Sequence, residues 1–334
     1  MTSKALICDE NQVFSLADVV LPEPGPDRLR VRTLRSGVSI GTEFALIRRK
    51  LDWGPYPLCT GYQAVGCVEE VGENVEGFAV GDLVYYRDGK HLALPDGTAI
   101  SSVAGTHAAH AIIHPKETHG LAHLPAGCDL DAASLYVMPA VGLAGVDMAN
   151  PRMGSTVLVY GCGQIGLGVV AACVLRGAKV IAVDISDDAL ALAAKFGADH
   201  LINAKAGDLE GAVHAIVPAG ADTVFECTGI PSCLDITIPL ARTLGGFVLQ
   251  GNYGAAPITY SFLPAHGRRL TWYYPCDDGQ APCRRAVVKL MASGALPWQE
   301  VITHRVKAAD SAEFYDQINH GAVPGLVGGV IDWE

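Results

Sequence analysis

Thr156-Val-Leu-Val-Tyr-Gly-Cys-Gly-Gln-Ile-Gly166 decides how this chain folds. Val157 to Tyr160 are four consecutive apolar residues, the pattern of a strand buried on both faces. Gly161, Gly163 and Gly166 follow at G-x-G-x-x-G spacing, and the Ala- and Val-rich segment Gln164 to Leu175 reads as a helix closed by Gly177. Between a strand and a helix, the first glycine permits a tight turn and the second lets backbone approach a pyrophosphate. The third lets the helix pack closely on the strand, with its N-terminus facing the phosphates. A second strand, Lys179 to Val183, ends in Asp184, eighteen residues past Gly166. A carboxylate there accepts hydrogen bonds from the adenosine ribose hydroxyls and repels a 2′-phosphate. Gly161, Gly163, Gln164, Ile165, Gly166 and Asp184 are therefore expected to bind NAD(H) rather than NADP(H).

Downstream of the fingerprint, strand and helix patterns alternate. A helix from Asp187 to Phe196 is bracketed by Ser186 and Gly197. Strands follow at His200–Ile202, Thr223–Glu226, Gly246–Gln250 and Leu270–Tyr274, with a helix over Ser232–Thr243. This alternation means a parallel, doubly wound sheet. Ligands in such sheets bind at the C-terminal ends of the strands, which adds Cys227, Thr228, Gly251 and Asn252 to the cofactor-lining residues.

Upstream, the chain is β-rich. Lys4–Cys8, Leu29–Thr33, Ala64–Val71, Leu83–Tyr85 and Thr106–Ile113 read as strands, and Asp88-Gly89 and Asp96-Gly97 bracket a hairpin. Past Cys276, a helix (Pro282–Ser293), a strand (Val301–Val306), a short helix (Asp310–His320) and a last strand (Leu326–Ile331) are expected to return to the first domain.

Composition excludes several classes of function. Of 334 residues, 50% are hydrophobic and 18% charged, which suits a globular core divided into two domains. A net charge of −11 argues against nucleic acid or an anionic membrane as partner. The partner expected is a small-molecule substrate. The first ten residues carry charge where a signal peptide needs an apolar core, so a cytoplasmic location is expected. The ten cysteines are scattered without a C-x-x-C pair, which indicates neither a disulfide framework nor a zinc knot.

With these features in place, the chain resembles the medium-chain dehydrogenase/reductase family, also known as the zinc-type alcohol dehydrogenase family. The resemblance runs through Gly61-Tyr-Gln-Ala-Val-Gly-Cys-Val-Glu-Glu-Val-Gly72, Val80-Gly-Asp82, the glycine fingerprint, Glu226-Cys-Thr-Gly229 and Ile302-Thr-His-Arg305. It implies an α/β fold: a GroES-like β-rich catalytic domain plus a Rossmann doubly wound parallel sheet. The expected limits are 1–135 for the first part of the catalytic domain, 136–275 for the Rossmann domain, and 276–334 for the return. The resemblance also implies a homodimer or homotetramer, and an active site in an interdomain cleft that excludes water.

The departures from the family pattern concern zinc. Zinc-dependent members carry a Cys after a first glycine, a Gly-His-Glu triplet, and a third Cys or acidic ligand before the Rossmann domain. Here Ser36-Gly-Val-Ser-Ile-Gly-Thr-Glu43 puts Ser39 or Ile40 in the cysteine place, the triplet is Gly61-Tyr62-Gln63, and Tyr136–Val141 offers no ligand. Hydroxyl, phenol and neutral amide are poor zinc ligands. Residues 86–104 contain no cysteine, so the structural zinc lobe is missing as well. No metal is expected. The Ser-Gly-Val-Ser and Gly-Tyr patterns are locally similar to a zinc-free-looking branch that includes bacteriochlorophyllide hydroxyethyl dehydrogenases. His107, His110, His114, His119 and His123 do not rescue a metal site. On a strand His107 faces opposite His110 and His114, and the latter two stand about 13 Å apart. Solvated or rim histidines are the favoured reading, and His110 is the one nearest the cleft in the family's layout.

Without zinc, hydrogen-bond donors must stabilise the oxygen that changes charge during hydride transfer. Tyr62 and Gln63 occupy the places of lost ligands. Tyr62 can donate, or accept a proton if its pKa is lowered. Thr42 resembles the proton-relaying hydroxyl of zinc members, Ser39 lies close by in sequence, and Glu43 is a candidate base. Trp53, Tyr56, Trp272, Tyr273 and Tyr274 are candidate walls, with core packing the alternative. The reading is an NAD(H)-dependent, zinc-independent oxidoreductase for a secondary alcohol, such as a polyol or sugar derivative. The alternatives are a zinc-free double-bond reductase and a non-catalytic NAD(H)-binding redox sensor.

Overall fold

The fingerprint strand finds partners on both sides because nothing along it needs water. In the computed structural model, which describes residues 1–334 apart from 53, 103, 118 and 119, Val157, Leu158 and Val159 are fully buried. Trp53 and His119, considered above as a wall and a metal ligand, lie outside the described residues.

The chain opens with β1 (Thr2–Cys8), β2 (Phe14–Val20) and β3 (Leu29–Val38), then α1 (Thr42–Ile47) and β4 (Leu58–Cys59). Next come β5 (Ala64–Val71), β6 (Leu83–Tyr86), β7 (Ser101–Ser102), β8 (His110–Ile113), β9 (Leu121–His123) and α2 (Leu130–Ala133). The second half runs α3 (Val137–Ala149), β10 (Thr156–Tyr160), α4 (Gln164–Leu175), β11 (Lys179–Asp184), α5 (Asp187–Lys195), β12 (His200–Asn203) and α6 (Leu209–Ile216). It continues through β13 (Ala221–Glu226), α7 (Leu234–Thr237), β14 (Ala241–Leu249), α8 (Phe262–Arg268), β15 (Thr271–Tyr273) and α9 (Gln280–Ala292). The tail is β16 (Ile302–Lys307), α10 (Ser311–Asn319) and β17 (Gly328–Asp332).

Two units result: Met1–Tyr136 with Val288–Glu334, and Val137–Val287. The second is a six-stranded parallel sheet in the order β12-β11-β10-β13-β14-β15. Its core gathers Leu158, Ile181, Val183, Val224 and Phe247 with Leu234, Ile238 and Leu240 from the α7 segment. The first unit holds a β2-β1-β4-β7 sheet and a larger one in the order β16-β17-β3-β5-β6-β9, with β8 also on β3.

The tail joins the first unit through burial. Phe314, Tyr315 and Ile318 of α10, with Ile331 of β17, pack against Leu6, Val38, Phe44 and Ile47. The second unit reaches Val287, not residue 275. Cys283 in α9 donates to Asp147 of α3 at 3.6 Å, which ties the start of that helix to the sheet's own helices.

Other differences from expectation have local causes. The helix expected over Ser232–Thr243 is shorter: α7 gives way to a 3-10 turn at Ile238–Leu240, and β14 has begun by Ala241. Pro239 sits there, lacking an N–H and clashing with the preceding turn. β8 starts at His110, not Thr106, and β2, α6 and α8 were not anticipated. The expected hairpin is short: Leu92 to Leu94 pair antiparallel with Thr98 to Ile100 around Asp96-Gly97, through the Ala93–Ala99 bridge and the Leu94–Thr98 and Ile100–Leu92 hydrogen bonds. No helix among the described residues is long and apolar enough to cross a membrane.

Candidate active site

In the parallel-sheet unit, the residues expected around a dinucleotide gather at the C-terminal ends of adjacent strands. Gly161 follows β10, Asp184 ends β11, Cys227 and Thr228 follow β13, and Gly251 and Asn252 follow β14. Gly161 has φ +95°, and a Cβ on Gly166 would lie 1.9 Å from the Gly161 carbonyl oxygen, so turn and packing both require glycine. Gly163 differs. Its φ is −69° and a Cβ there would meet no protein atom within 4 Å. Nothing in the protein needs its smallness, whereas close approach of a ligand would. Gly163 is also the N-cap of α4 and gives no side-chain cap, at the helix end where an anion is favoured. Asp184 accepts the Cys162 N–H at 2.6 Å and the Ser186 N–H at 2.9 Å, which fixes its carboxylate beside the loop. These features suit a dinucleotide.

In the other unit, three residues singled out from sequence converge. Tyr62 is 7% exposed, and its hydroxyl donates to Ser39 Oγ and is also hydrogen-bonded to the Thr42 side chain. Burial pushes the Tyr62 phenol up. The bonds to Ser39 and Thr42 and the charge of Arg87, which lies 5.4 Å over the ring, oppose this, while Glu43 reinforces it. The net direction is upward, so at neutral pH Tyr62 is a protonated donor and not the phenolate base that a lowered pKa would give.

Ser39 reaches this position because β3 runs five residues further than its apolar start suggests, to Val38. Register shifts against β5 at Arg30/Val31 and Thr33/Arg35 bend it on the way. Behind Ser39 lies Glu43, fully buried. Its Oε1 accepts the Ser39 backbone N–H at 2.7 Å, and its Oε2 is 2.9 Å from His107 Nε2 and 2.7 Å from the Tyr315 hydroxyl. Burial alone would push this carboxyl up, but His107, the Ser39 N–H and Tyr315 outweigh it and hold it below the usual range. Glu43 is thus an ionised anchor for Ser39 whose oxygens are already engaged, which leaves it poorly placed as the base.

His107 corrects the reading of these histidines as solvated: its side chain is wholly buried, with Nδ1 2.8 Å from Ser36 Oγ. The indole N–H of Trp333 donates to the same Ser36 oxygen at 2.9 Å. Ser36 Oγ thus accepts from Trp333 and bonds His107 Nδ1, while His107 Nε2 faces the Glu43 carboxylate. His107 and Tyr315 were missed in the sequence. No spacing links positions 43, 107 and 315, and only the return of α10 brings the last one in.

The remaining candidates spread out. His110 lies elsewhere, 2.8 Å from Ser3 Oγ and 3.5 Å from Glu69, so it does not join Tyr62. Its backbone pairs with Arg32 on β3, while its side chain bonds β1 and β5. Gln63 is fully buried, and its backbone N–H donates to Thr106 Oγ1 at 3.2 Å. His114 accepts the Lys116 N–H, and His123 stacks on Phe78. Trp272 packs into the core of the parallel sheet between Phe247 and Tyr260, whereas Tyr274 is exposed. Tyr56 lines a cavity of about 390 Å³ whose other walls include Leu46, Arg49, Asp52, Thr60 and Ser101. Thr60 hydrogen-bonds Tyr315, which connects the cavity wall to the Glu43 cluster.

Residues 25–125 match the alcohol dehydrogenase GroES-like domain, and residues 165–290 match the family described as zinc-binding dehydrogenase. Among relatives, sorbitol dehydrogenase 2 of Saccharomyces cerevisiae is 30% identical, with 79% of each chain covered. Erythritol/L-threitol dehydrogenase of Mycolicibacterium smegmatis is 27% identical over 95% of this chain and 94% of that one. A solved candidate zinc-binding dehydrogenase from Sinorhizobium meliloti, bound to NADP, superposes with a TM-score of 0.85 at 24% identity, over all of both chains. The zinc in these descriptions meets a donor set here that does not suit it. Ser39, Tyr62 and Gln63 offer hydroxyl, phenol and neutral amide, poor zinc ligands, and Glu43 beside Ser39 is engaged on both oxygens. Among the described residues no group of three or more His, Cys, Asp or Glu side chains could hold a metal ion.

Proposed function

Because the chain belongs to the zinc-type alcohol dehydrogenase family of medium-chain dehydrogenases and is a dehydrogenase/reductase of that type, we propose that it interconverts a secondary alcohol of the polyol or sugar class and its ketone, using NAD(H) and no zinc. The observation that carries this reading is the buried cluster of Tyr62, Ser39 and Thr42 anchored by Glu43. The nicotinamide supplies or takes the hydride. The protein's part is to hold the substrate oxygen and manage its proton. Tyr62 donates to Ser39 Oγ, which polarises the Ser39 hydroxyl and leaves its hydrogen for the substrate oxygen. In ketone reduction this pair stabilises the developing alkoxide, and a phenol that stays protonated is the right partner for that step. Arg87 over the Tyr62 ring adds positive charge beside the cluster.

Substrate class follows from the polyol-acting relatives and from the cavity beside Thr60. Its mix of Tyr56 and leucines with Arg49, Asp52, Thr60 and Ser101 suits a hydroxylated carbon chain. Preference for NAD(H) rests on Asp184, with no Arg in residues 185–189 to neutralise a 2′-phosphate. This reading departs from the Sinorhizobium relative, which holds NADP. The likeness of residues 36–43 to the bacteriochlorophyllide hydroxyethyl dehydrogenases supports a branch in which hydroxyl donors replaced zinc. A net charge of −11 favours a small-molecule partner over nucleic acid or a membrane surface, and the enzyme is proposed to act in the cytoplasm as a homodimer or homotetramer. The test is a panel of polyols, ketoses and enones assayed with both cofactors by reduced-nicotinamide absorbance. Turnover of a polyol–ketose pair with NAD(H) is expected. Tighter binding of NADPH than NADH overturns the cofactor assignment, and intact NADH binding without turnover across the panel favours a redox sensor.

A further inference from the structure

Glu226, the last residue of β13, is fully buried, and among the described residues no Lys, Arg or His pairs with it. A buried carboxylate without a cation persists only where hydrogen bonds replace its hydration. Here they come from two separate segments. Oε1 accepts the backbone N–H of Thr228 at 3.0 Å and the Thr228 hydroxyl. Oε2 accepts the Gly229 N–H at 3.2 Å and the hydroxyl of Tyr253, which lies beyond β14. Burial, with Glu226 adding to it, pushes the Tyr253 phenol far up, so it remains a donor.

The two segments are in direct backbone contact. A Cβ on Gly229 would stand 2.4 Å from the Asn252 carbonyl oxygen, and one on Gly251 would stand 2.2 Å from the Gly229 nitrogen. The first segment also touches the fingerprint, since a Cβ on Gly161 would meet Thr228 Cγ2 at 2.8 Å. One carboxylate therefore bonds the turn after β13 to the segment after β14, beside the glycine loop.

We propose that Glu226 is a positioning residue for the cofactor: its carboxylate clasps residues 227–229 to residues 251–253 through Tyr253, and so sets the affinity of the site for the dinucleotide. This rests on the reading that these segments line the nicotinamide cofactor. It gives Glu226 and Tyr253, neither of which needs to touch the ligand, control over binding.

The test is NADH titration by fluorescence on Tyr253→Phe, Glu226→Gln, the double variant and Gly163→Ala. Tyr253→Phe is expected to weaken NADH about tenfold, the size of one charge-assisted hydrogen bond. The loss should fall on the KM of the cofactor more than on kcat. The double variant should bind within about twofold of Glu226→Gln alone, because the Tyr253 bond exists only through that carboxylate. NADH binding within about twofold of wild type in Tyr253→Phe overturns the clasp, as do fully independent losses in the double variant. If Glu226→Gln does not fold, Tyr253→Phe decides alone. Weakened binding in Gly163→Ala with none in Tyr253→Phe rejects the clasp and keeps the cofactor site, whereas no effect in either rejects both.

Discussion

Tyr62 and Ser39 divide one task, and single substitutions separate their shares. Tyr62→Phe keeps the ring under Arg87 and removes only the hydroxyl, with its bonds to Ser39 and Thr42. Losing one donor from an oxyanion-stabilising group costs ~10²–10³-fold in turnover. Steady-state kinetics on Tyr62→Phe should show a fall in kcat of that order, with Ser39→Ala at least as severe because the proposed contact with substrate runs through its hydroxyl. Activity of Tyr62→Phe within about threefold of wild type assigns the ring to packing alone. Glu43 has its own signature. Its folded pKa lies below the ordinary carboxyl value of 4.5, so the stability it contributes is complete above that value and is lost as pH falls through the lower folded one. Glu43→Gln should therefore melt well below wild type at neutral pH, and the two melting curves should converge as pH drops through and below the ordinary value. A constant gap across pH contradicts an ionised Glu43. Position by position, the sequence singled out Ser39 and Tyr62 through the missing zinc ligands, and Thr42 through its likeness to a proton-relaying hydroxyl. His107 and Tyr315 stayed hidden because their partners are distant in the chain.

Elements built from local signals follow the sequence closely. The apolar run of β10 with its glycines, and Ser186 accepting the Ala189 N–H at the start of α5, are complete within a few residues and form as read. Elements shaped by their neighbours do not. β3 extends past Thr33 because β17 pairs with Arg35 to Val38, a partner some 290 residues away in sequence. That extension is what delivers Ser39. The glycine loop yields the sharpest test at this scale, since its three glycines serve different masters. Gly166→Ala forces a Cβ against a carbonyl oxygen and should lower the melting temperature markedly. Gly163→Ala meets no protein atom and needs no unusual φ, so it should melt like wild type while NADH binding falls at least tenfold. Thermal scans alongside NADH titration decide this, and equal stability losses in both variants would contradict the division.

For the whole molecule, the two-unit organisation and the discontinuous first unit were legible from the change in strand and helix pattern. The second boundary was not, because α9 contains residues of both units and carries no break in composition where they divide. The account's central claim also belongs to the whole protein. The family is described as zinc-binding, and the hydroxyl cluster of Tyr62, Ser39 and Thr42 is proposed to do here the work a metal would do. The most direct measurement is elemental analysis of the purified, active enzyme paired with turnover before and after exhaustive chelation. The account predicts zinc far below one atom per chain and NADH-linked ketone reduction unchanged by the chelator. Stoichiometric zinc, lost together with activity and restored with it, would contradict the account.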